Sequence, residues 1–188
     1  MRSFLSLLLL CLTGGLLCGC FNVNLPKQEI RETRTFDIAR TPFHRFPFRV
    51  EVLPVRSDSP AKFKMLRRNG SRLIIDEYNK WSQTPSRIMT RSLQAAFQSA
   101  TQESPAFKLS ANILTFEFDE QSASAVLATA YTVSLLDGRD PLFSRVLTTR
   151  VPASGTSAEA FAEAMKQAIA KQIANVKELI LNSVKSAP

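Results

Sequence analysis

Three long segments of alternating apolar and polar residues, followed by one long amphipathic segment, constrain the fold more than any other feature. Residues 107–120, 123–136 and 141–151 alternate with the period of two that is typical of strands buried on one face. Together they predict a meander of three strands. Residues 158–184 carry apolar side chains at spacings of three and four, which predicts a long helix covering the sheet rather than a helix lying on a membrane.

Local signals refine these elements. In the first long strand the apolar positions change side after Ile113, which predicts a β-bulge. Thr84-Pro85 supplies an N-cap and a first helical residue for a shorter helix that runs to about residue 100. The sequence from Thr156 to Glu159 predicts a capping box for the long helix.

The first half of the chain predicts further strands. Segments 33–39 and 48–55 alternate, and residues 62–78 form a hairpin around Asn69-Gly70, the strongest short hairpin signal in the sequence. The order of elements is strands, helix, three strands, helix. It predicts an α+β fold, a twisted and mainly antiparallel sheet with two helices packed on one face.

The N-terminus predicts a secretory signal. Arg2 precedes an apolar run of about 14 residues, which is shorter than the roughly 20 of a transmembrane helix. The run ends in Leu17-Cys18-Gly19-Cys20, the order of a lipoprotein cleavage site. We therefore expect cleavage between Gly19 and Cys20 and lipid on Cys20. A plain cleaved signal and an uncleaved N-terminal anchor are the alternatives.

This reading divides the chain into a signal peptide at 1–19, a lipidated N-terminus and flexible tether at 20–32, and a single periplasmic domain at 33–188. Phe21 stands where Asp would favour retention in the inner membrane, so the outer membrane of a Gram-negative bacterium is expected, with the domain facing the periplasm. Cys11 and Cys18 leave with the signal. The mature domain then has no thiol, disulfide or cysteine ligand.

The residues that catalysis needs are scarce. His44 is the only histidine, and the glycines beyond the signal are too scattered for a phosphate-binding loop. Glu117, Asp119 and Glu120 end a predicted strand, where solvated acids are more typical than acid–base catalysis. No cofactor, no metal and no enzymatic activity are predicted.

Positive charge is concentrated in the first half. Residues 21–91 hold 15 Lys and Arg against 7 Asp and Glu, whereas residues 92–188 hold 8 against 9. In the periplasm such charge suits anionic lipid headgroups, lipopolysaccharide phosphates or acidic proteins, and nucleic acid is not expected. A well-solvated surface is the simpler alternative.

Two basic regions stand out within that half. The predicted hairpin carries five basic residues within eleven positions and is either a solvated strand face or a contact for an acidic partner. The loop at 43–48 mixes aromatic and basic residues, which suits either a membrane or partner contact or the edge of the core. The five basic residues of the hairpin are Lys62, Lys64, Arg67, Arg68 and Arg72.

The chain resembles the ABC-type transport auxiliary lipoprotein family, in its PqiC-like group. The resemblance rests on the cleavage site at 17–20, the Val-x-Val-x-Pro-Val segment at 50–55, the central run from 63 to 81 leading into a helix, and the Ala-rich helix that follows the strand meander.

The resemblance implies a non-catalytic lipoprotein that works beside an ABC permease, its ATPase and a periplasmic carrier of the mammalian-cell-entry type. Such systems move lipids between the two membranes. Cys20 would anchor the protein and the domain would dock the carrier. Homo-oligomerisation is left open. A scaffold for lipopolysaccharide export or cell-wall synthesis is the alternative function.

Tyr78 and Trp81 are the first candidate contacts for the carrier, because interfaces favour Tyr and Trp. Arg67 and Arg68 of the hairpin join them as candidate contacts. For Trp81, packing in the core at the start of the helix is the alternative.

Overall fold

The structure, a computed structural model, describes residues 32–38, 46–98 and 106–185. Predictions that concern Gly19, Cys20, His44 and nearly all of the tether lie outside these residues. The described residues form eight strands and two helices, which confirms the α+β prediction. The elements are β1 Arg34–Phe36, β2 Val50–Val52, β3 Arg56–Ser57, β4 Lys64–Asn69, β5 Arg72–Trp81, α1 Pro85–Ala96, β6 Phe107–Asp119, β7 Ser124–Leu135, β8 Pro141–Pro152 and α2 Ala158–Lys185.

Strand β6 is the centre of the sheet. It has 13 residues and is about 43 Å long. One edge pairs with β7 throughout, and the other edge holds β2, β3 and β4 in succession, all parallel to β6. Pro54 lies between β2 and β3, where its missing N–H breaks the ladder. The strand expected over 48–55 is therefore shortened to β2, and β3 follows just beyond that segment.

The predicted meander of β6, β7 and β8 is confirmed. Both pairs are antiparallel, with Phe107 opposite Leu135 at one end and Asp119 opposite Ser124 at the other. The register of β6 shifts between Ile113 and Thr115, so the expected bulge is present. The bulge restores Phe116 and Phe118 to the buried face of the sheet.

The helix caps match the sequence signals in one case and correct them in the other. Thr84 Oγ1 accepts from the backbone N–H of Arg87, as expected for the cap of α1. For α2 the cap is Ser157, whose Oγ accepts from the N–H of Ala160 at 3.2 Å. The N-cap is therefore one residue later than Thr156, and Ala160, which is then at N3, has no side-chain acceptor for the reciprocal bond of a capping box.

The core lies between the sheet and the two helices, which contact each other on one face. Trp81, Phe107, Phe118 and Phe161 are among its largest buried side chains. A polar pair lies inside this apolar layer. The Tyr131 hydroxyl donates to Gln172 Oε1 at 2.9 Å, and Gln172 Nε2 donates to the carbonyls of Leu127 and Leu147, each at 2.9 Å.

Burial raises the pKa of Tyr131, so its hydroxyl keeps its proton. Neither described helix is both long and apolar enough to cross a bilayer.

Candidate partner-binding surface

The hairpin of β4 and β5 positions all four predicted contact residues. Its turn is Gly70-Ser71, with Asn69 and Arg72 paired across the strands. The expected hairpin is present, although its loop lies one residue later than Asn69-Gly70 suggested. Gly70 has φ of +59°, a conformation that glycine adopts without steric cost.

A bulge in β5 presents Tyr78. Lys64 pairs with Lys80 and Leu66 pairs with Ile75, so residues 76–79 lie opposite a single residue of β4. The Asp76 carboxylate holds this bulge together. Its Oδ1 accepts from the N–H of Tyr78 at 3.0 Å and of Asn79 at 2.9 Å, and its Oδ2 accepts from Asn79 Nδ2 at 2.8 Å. Tyr78 is 40% exposed on this braced segment.

Trp81 lies in the core. Its side chain is 1% exposed, and its ring packs edge-on against Phe116 at 5.4 Å and Phe161 at 5.2 Å between centroids. The alternative of core packing at the start of α1 describes this position. Trp81 therefore supports the end of β5 and offers no surface to a partner in this conformation.

Arg67 and Arg68 point to opposite faces of the sheet because they are neighbours on one strand. Arg67 lies over the Phe118 ring at 4.9 Å on the helix side and donates to the Thr156 carbonyl. Its guanidinium is 3.7 Å from Glu120 and 3.9 Å from Asp76. Arg67 thus joins the hairpin to the segment before α2.

Arg68 belongs to a ribbon of ion pairs on the other face of the sheet, formed by Arg68 with Glu117 and by Arg150 with Asp119. Its guanidinium donates to both Glu117 oxygens, one of them at 3.0 Å, and this bond raises the pKa of Arg68. Arg150 Nη1 donates to Asp119 Oδ2 at 2.8 Å and lowers the pKa of that carboxyl. The acids that end β6 therefore pair with three different arginines, Glu120 with Arg67, Glu117 with Arg68 and Asp119 with Arg150.

The sheet face opposite the helices is made of small and β-branched side chains on β6, β7 and β8. We call it the open face. Its side chains include four small ones, those of Ser110, Ala128, Ala130 and Ser144. Val146, on the same face, is 60% exposed. The Thr132 and Ser144 hydroxyls lie 3.0 Å apart across β7 and β8. The side chains of the open face include Ser110, Asn112, Val126, Ala128, Ala130, Thr132, Ser144, Val146 and Thr148.

A groove of about 540 Å³ lies on the open face. Residues 53–56, which link β2 to β3, line one side, and Ser110, Asn112, Ala130 and Thr132 also line it. The Asn112 amide is fixed by donating from Nδ2 to Asp58 Oδ2 at 3.0 Å. The sequence pattern did not reveal this groove, since small residues at alternate positions look like any solvated strand.

An aromatic cluster occupies the other end of the sheet. Phe46 packs against Phe97 at 5.1 Å, and Lys177 of α2 lies 5.8 Å from both ring centroids. Desolvation lowers the pKa of Lys177. Phe46 is buried, so this part of the aromatic loop fills the edge of the core, while Phe43, His44 and Arg45 lie outside the described residues.

The part of the chain that the structure describes holds no group of three or more His, Cys, Asp or Glu that could bind a metal. The site it does present is a surface, formed by a braced tyrosine, a ribbon of ion pairs and a shallow groove. Such an arrangement can bind a macromolecule.

The solved structures that share this fold include the following two. Protein XCC0632 from Xanthomonas campestris, assigned to the DUF330 family, aligns with a TM-score of 0.71 and 17% identity, over 81% of this chain and 97% of the other. An uncharacterized protein aligns with a TM-score of 0.62 and 14% identity, over 79% of this chain and 99% of the other. Identities this low show a common fold only.

No curated protein matches the sequence. The sequence model of the ABC-type transport auxiliary lipoprotein component matches residues 50–176, which is more than half of the chain. The matched region begins with β2 and ends within α2. It contains the hairpin, the bulge and the open face. The resemblance that the sequence suggested is thereby confirmed, and the chain belongs to the family of ABC-type transport auxiliary lipoprotein components.

Proposed function

We propose that the protein is a lipid-anchored, non-catalytic accessory of an ABC-type system that moves lipids between two membranes. Its immediate partner is the periplasmic carrier of the mammalian-cell-entry type, which works with an ABC permease and its ATPase. The family match over residues 50–176 carries this proposal. A binding role agrees with the described chemistry, in which the three acids that end β6 are all engaged by arginines.

The anchor is proposed at Cys20. The order Leu17-Cys18-Gly19-Cys20 follows an apolar run of signal length, and cleavage after Gly19 would leave Cys20 as the first residue. A lipid with two or more acyl chains holds a protein stably in a bilayer. With Phe21 next to the lipidated residue, the outer membrane is the proposed location and the domain faces the periplasm.

The open face on β6 to β8, together with the bulge in β5 on the far side of β4, is the proposed docking surface for the carrier. Small side chains let another backbone approach the sheet closely, and Val146 and Tyr78 offer apolar and aromatic contact area beside it. Arg68 lies at the margin of this surface, fixed by Glu117. Trp81 and Arg67 act behind it, because they hold β5 and the hairpin in place.

Crosslinking within the native system tests the docking surface. A photoreactive amino acid is placed at Val146, at Tyr78, and at Asn175 on the exposed side of α2 as the control. We expect the first two positions to crosslink to the carrier and the control to give none. Crosslinks from Asn175 alone would place docking on the helix side and contradict the proposed surface.

Purification of the protein with its crosslinked partners also tests the function. Recovery of the carrier with the protein supports a transport accessory. Recovery of a β-barrel or a cell-wall synthase instead would favour the scaffold alternative. The intact mass of the mature protein tests the anchor separately, because a chain beginning at Cys20 carries added acyl mass.

A further inference from the structure

Three exposed lysines lie together at the end of the hairpin nearest β1. Lys64 and Lys80 are directly opposite each other across β4 and β5, and Lys62 lies two residues before Lys64. Like charges in directly opposed positions of a sheet destabilise the pair. The arrangement therefore favours an external anion that would relieve the repulsion.

The lysines differ from two of the three arginines of the same hairpin. Arg67 and Arg68 are both engaged by carboxylates within the fold. Among the described residues, none of the three lysines has an ion-pair partner. Of the acids on β5, Asp76 is used by the bulge, and Glu77 makes no ion pair with a described residue. Within the part of the chain that the structure describes, no ion pair therefore neutralises the positive charge of the cluster.

The cluster adjoins the point where the predicted tether joins the domain. Thr35 of β1 pairs with Lys80, so Lys80 lies one strand spacing and Lys64 two strand spacings, about 10 Å, from β1. The tether of residues 20–32 can span at most about 45 Å. A domain held by a tether of this length is present at high effective concentration beside the surface of its own membrane.

We propose that Lys62, Lys64 and Lys80 bind the phosphate groups of anionic lipids in the membrane that carries the Cys20 anchor. This inference rests on the lipid anchor of the proposed function. Phe63, 46% exposed between two of the lysines, adds an aromatic side chain of the kind favoured at membrane interfaces. Headgroup binding would fix which side of the domain faces the bilayer.

Lysine footprinting on the mature full-length lipoprotein tests this. The protein is reconstituted into vesicles of phosphatidylcholine alone or with 30% phosphatidylglycerol, and lysine acetylation is read by mass spectrometry. We expect labelling of Lys62, Lys64 and Lys80 to fall about fivefold in the anionic vesicles. It should return in 1 M salt, where the Debye length is only about 3 Å. Lys171 and Lys185, exposed on α2, are the internal controls.

Two double variants distinguish an effect of the lysine cluster from an effect of the total charge of the protein. Lys64→Glu with Lys80→Glu should abolish the protection of Lys62, whereas Lys171→Glu with Lys185→Glu, the same change in total charge, should leave it intact. Circular dichroism on both variants checks that the fold is retained.

The outcomes that would overturn the proposal are distinct. Equal labelling in both kinds of vesicle, or protection unaffected by salt, contradicts headgroup binding. Protection that arises only when the carrier is added would assign the cluster to an acidic protein surface instead. A mature protein without acyl mass would remove the anchor, and this result is read by intact mass before any vesicle is made.

Discussion

The two faces of the sheet follow the same alternation and serve different purposes. On the helix side, aromatic and large aliphatic residues pack edge to face, and the Tyr131–Gln172 pair is satisfied within them. On the open face, small residues, hydroxyls and a ribbon of ion pairs meet solvent. The difference indicates that stability depends mainly on the covered face, which leaves the open face available for binding.

Removing the largest buried side chain should give the largest loss in the free energy of unfolding. Trp81→Ala deletes a ring that packs against Phe116 and Phe161, and we expect it to lower the free energy of unfolding by about 3–5 kcal/mol. Ile75→Ala, at a position 45% exposed on the same strand, should cost no more than about 1 kcal/mol. Urea unfolding followed by circular dichroism measures both, and equal losses would contradict the division between the faces.

The buried polar pair gives the next largest effect. Gln172→Leu leaves the Tyr131 hydroxyl and two backbone carbonyls without their partner, so we expect a loss of about 2–4 kcal/mol. Tyr131→Phe should lower the free energy of unfolding by about 1–2 kcal/mol, since it leaves only Gln172 Oε1 without its donor.

The double variant Tyr131→Phe with Gln172→Leu checks that the two act as one unit. Its loss should be smaller than the sum of the single losses, because each change already removes the shared bond. Strict additivity in chemical denaturation would show that the pair is not coupled.

Two valines on the same strand compare the faces directly. Val151 is 3% exposed on the helix side. Val151→Ala should lower the free energy of unfolding by about 1.5–2 kcal/mol, at roughly 0.8 kcal/mol for each buried carbon removed. Val146→Ala on the open face should change stability by less than about 0.5 kcal/mol, yet weaken capture of the carrier that we propose as the partner. A stability loss at Val146 equal to that at Val151 would mean that the open face belongs to the core.

The smallest expected effect is in the ion-pair ribbon. Arg150 holds the pKa of Asp119 below its ordinary value of 3.8, so the folded state favours the charged carboxylate. Its contribution is fully present above that value and is lost as the pH falls through the lowered pKa. Asp119→Asn should therefore cost less than about 1 kcal/mol at pH 7, and this cost should shrink as the pH falls below 3.8, in matched urea titrations.

Local patterns predicted most of the elements. The alternation of residues 107–151, the Thr84-Pro85 cap and the shift after Ile113 each depend on neighbours within a few positions, and all three are present in the structure. The cap of α2 moved from Thr156 to Ser157 because both residues are good capping types, and sequence alone does not rank them.

The predicted contact residues fared differently because their surroundings are contributed by distant segments. Trp81 is buried by Phe116 and Phe161, and Arg67 is engaged by the segment before α2. Tyr78 is presented outward because Asp76 braces a bulge that no periodicity indicated. No local signal distinguishes a tryptophan at an interface from one in a core.

The sequence by itself determined the family, the α+β class and the alternation that gives the sheet two unlike faces, because these follow from the period of the side chains and from short capping and turn signals. Only the tertiary structure decided that β2, β3 and β4 share one parallel edge of β6. It also decided which arginine meets which carboxylate, and that Lys64 lies opposite Lys80. These contacts depend on strand register, which is fixed by packing between segments far apart in the chain.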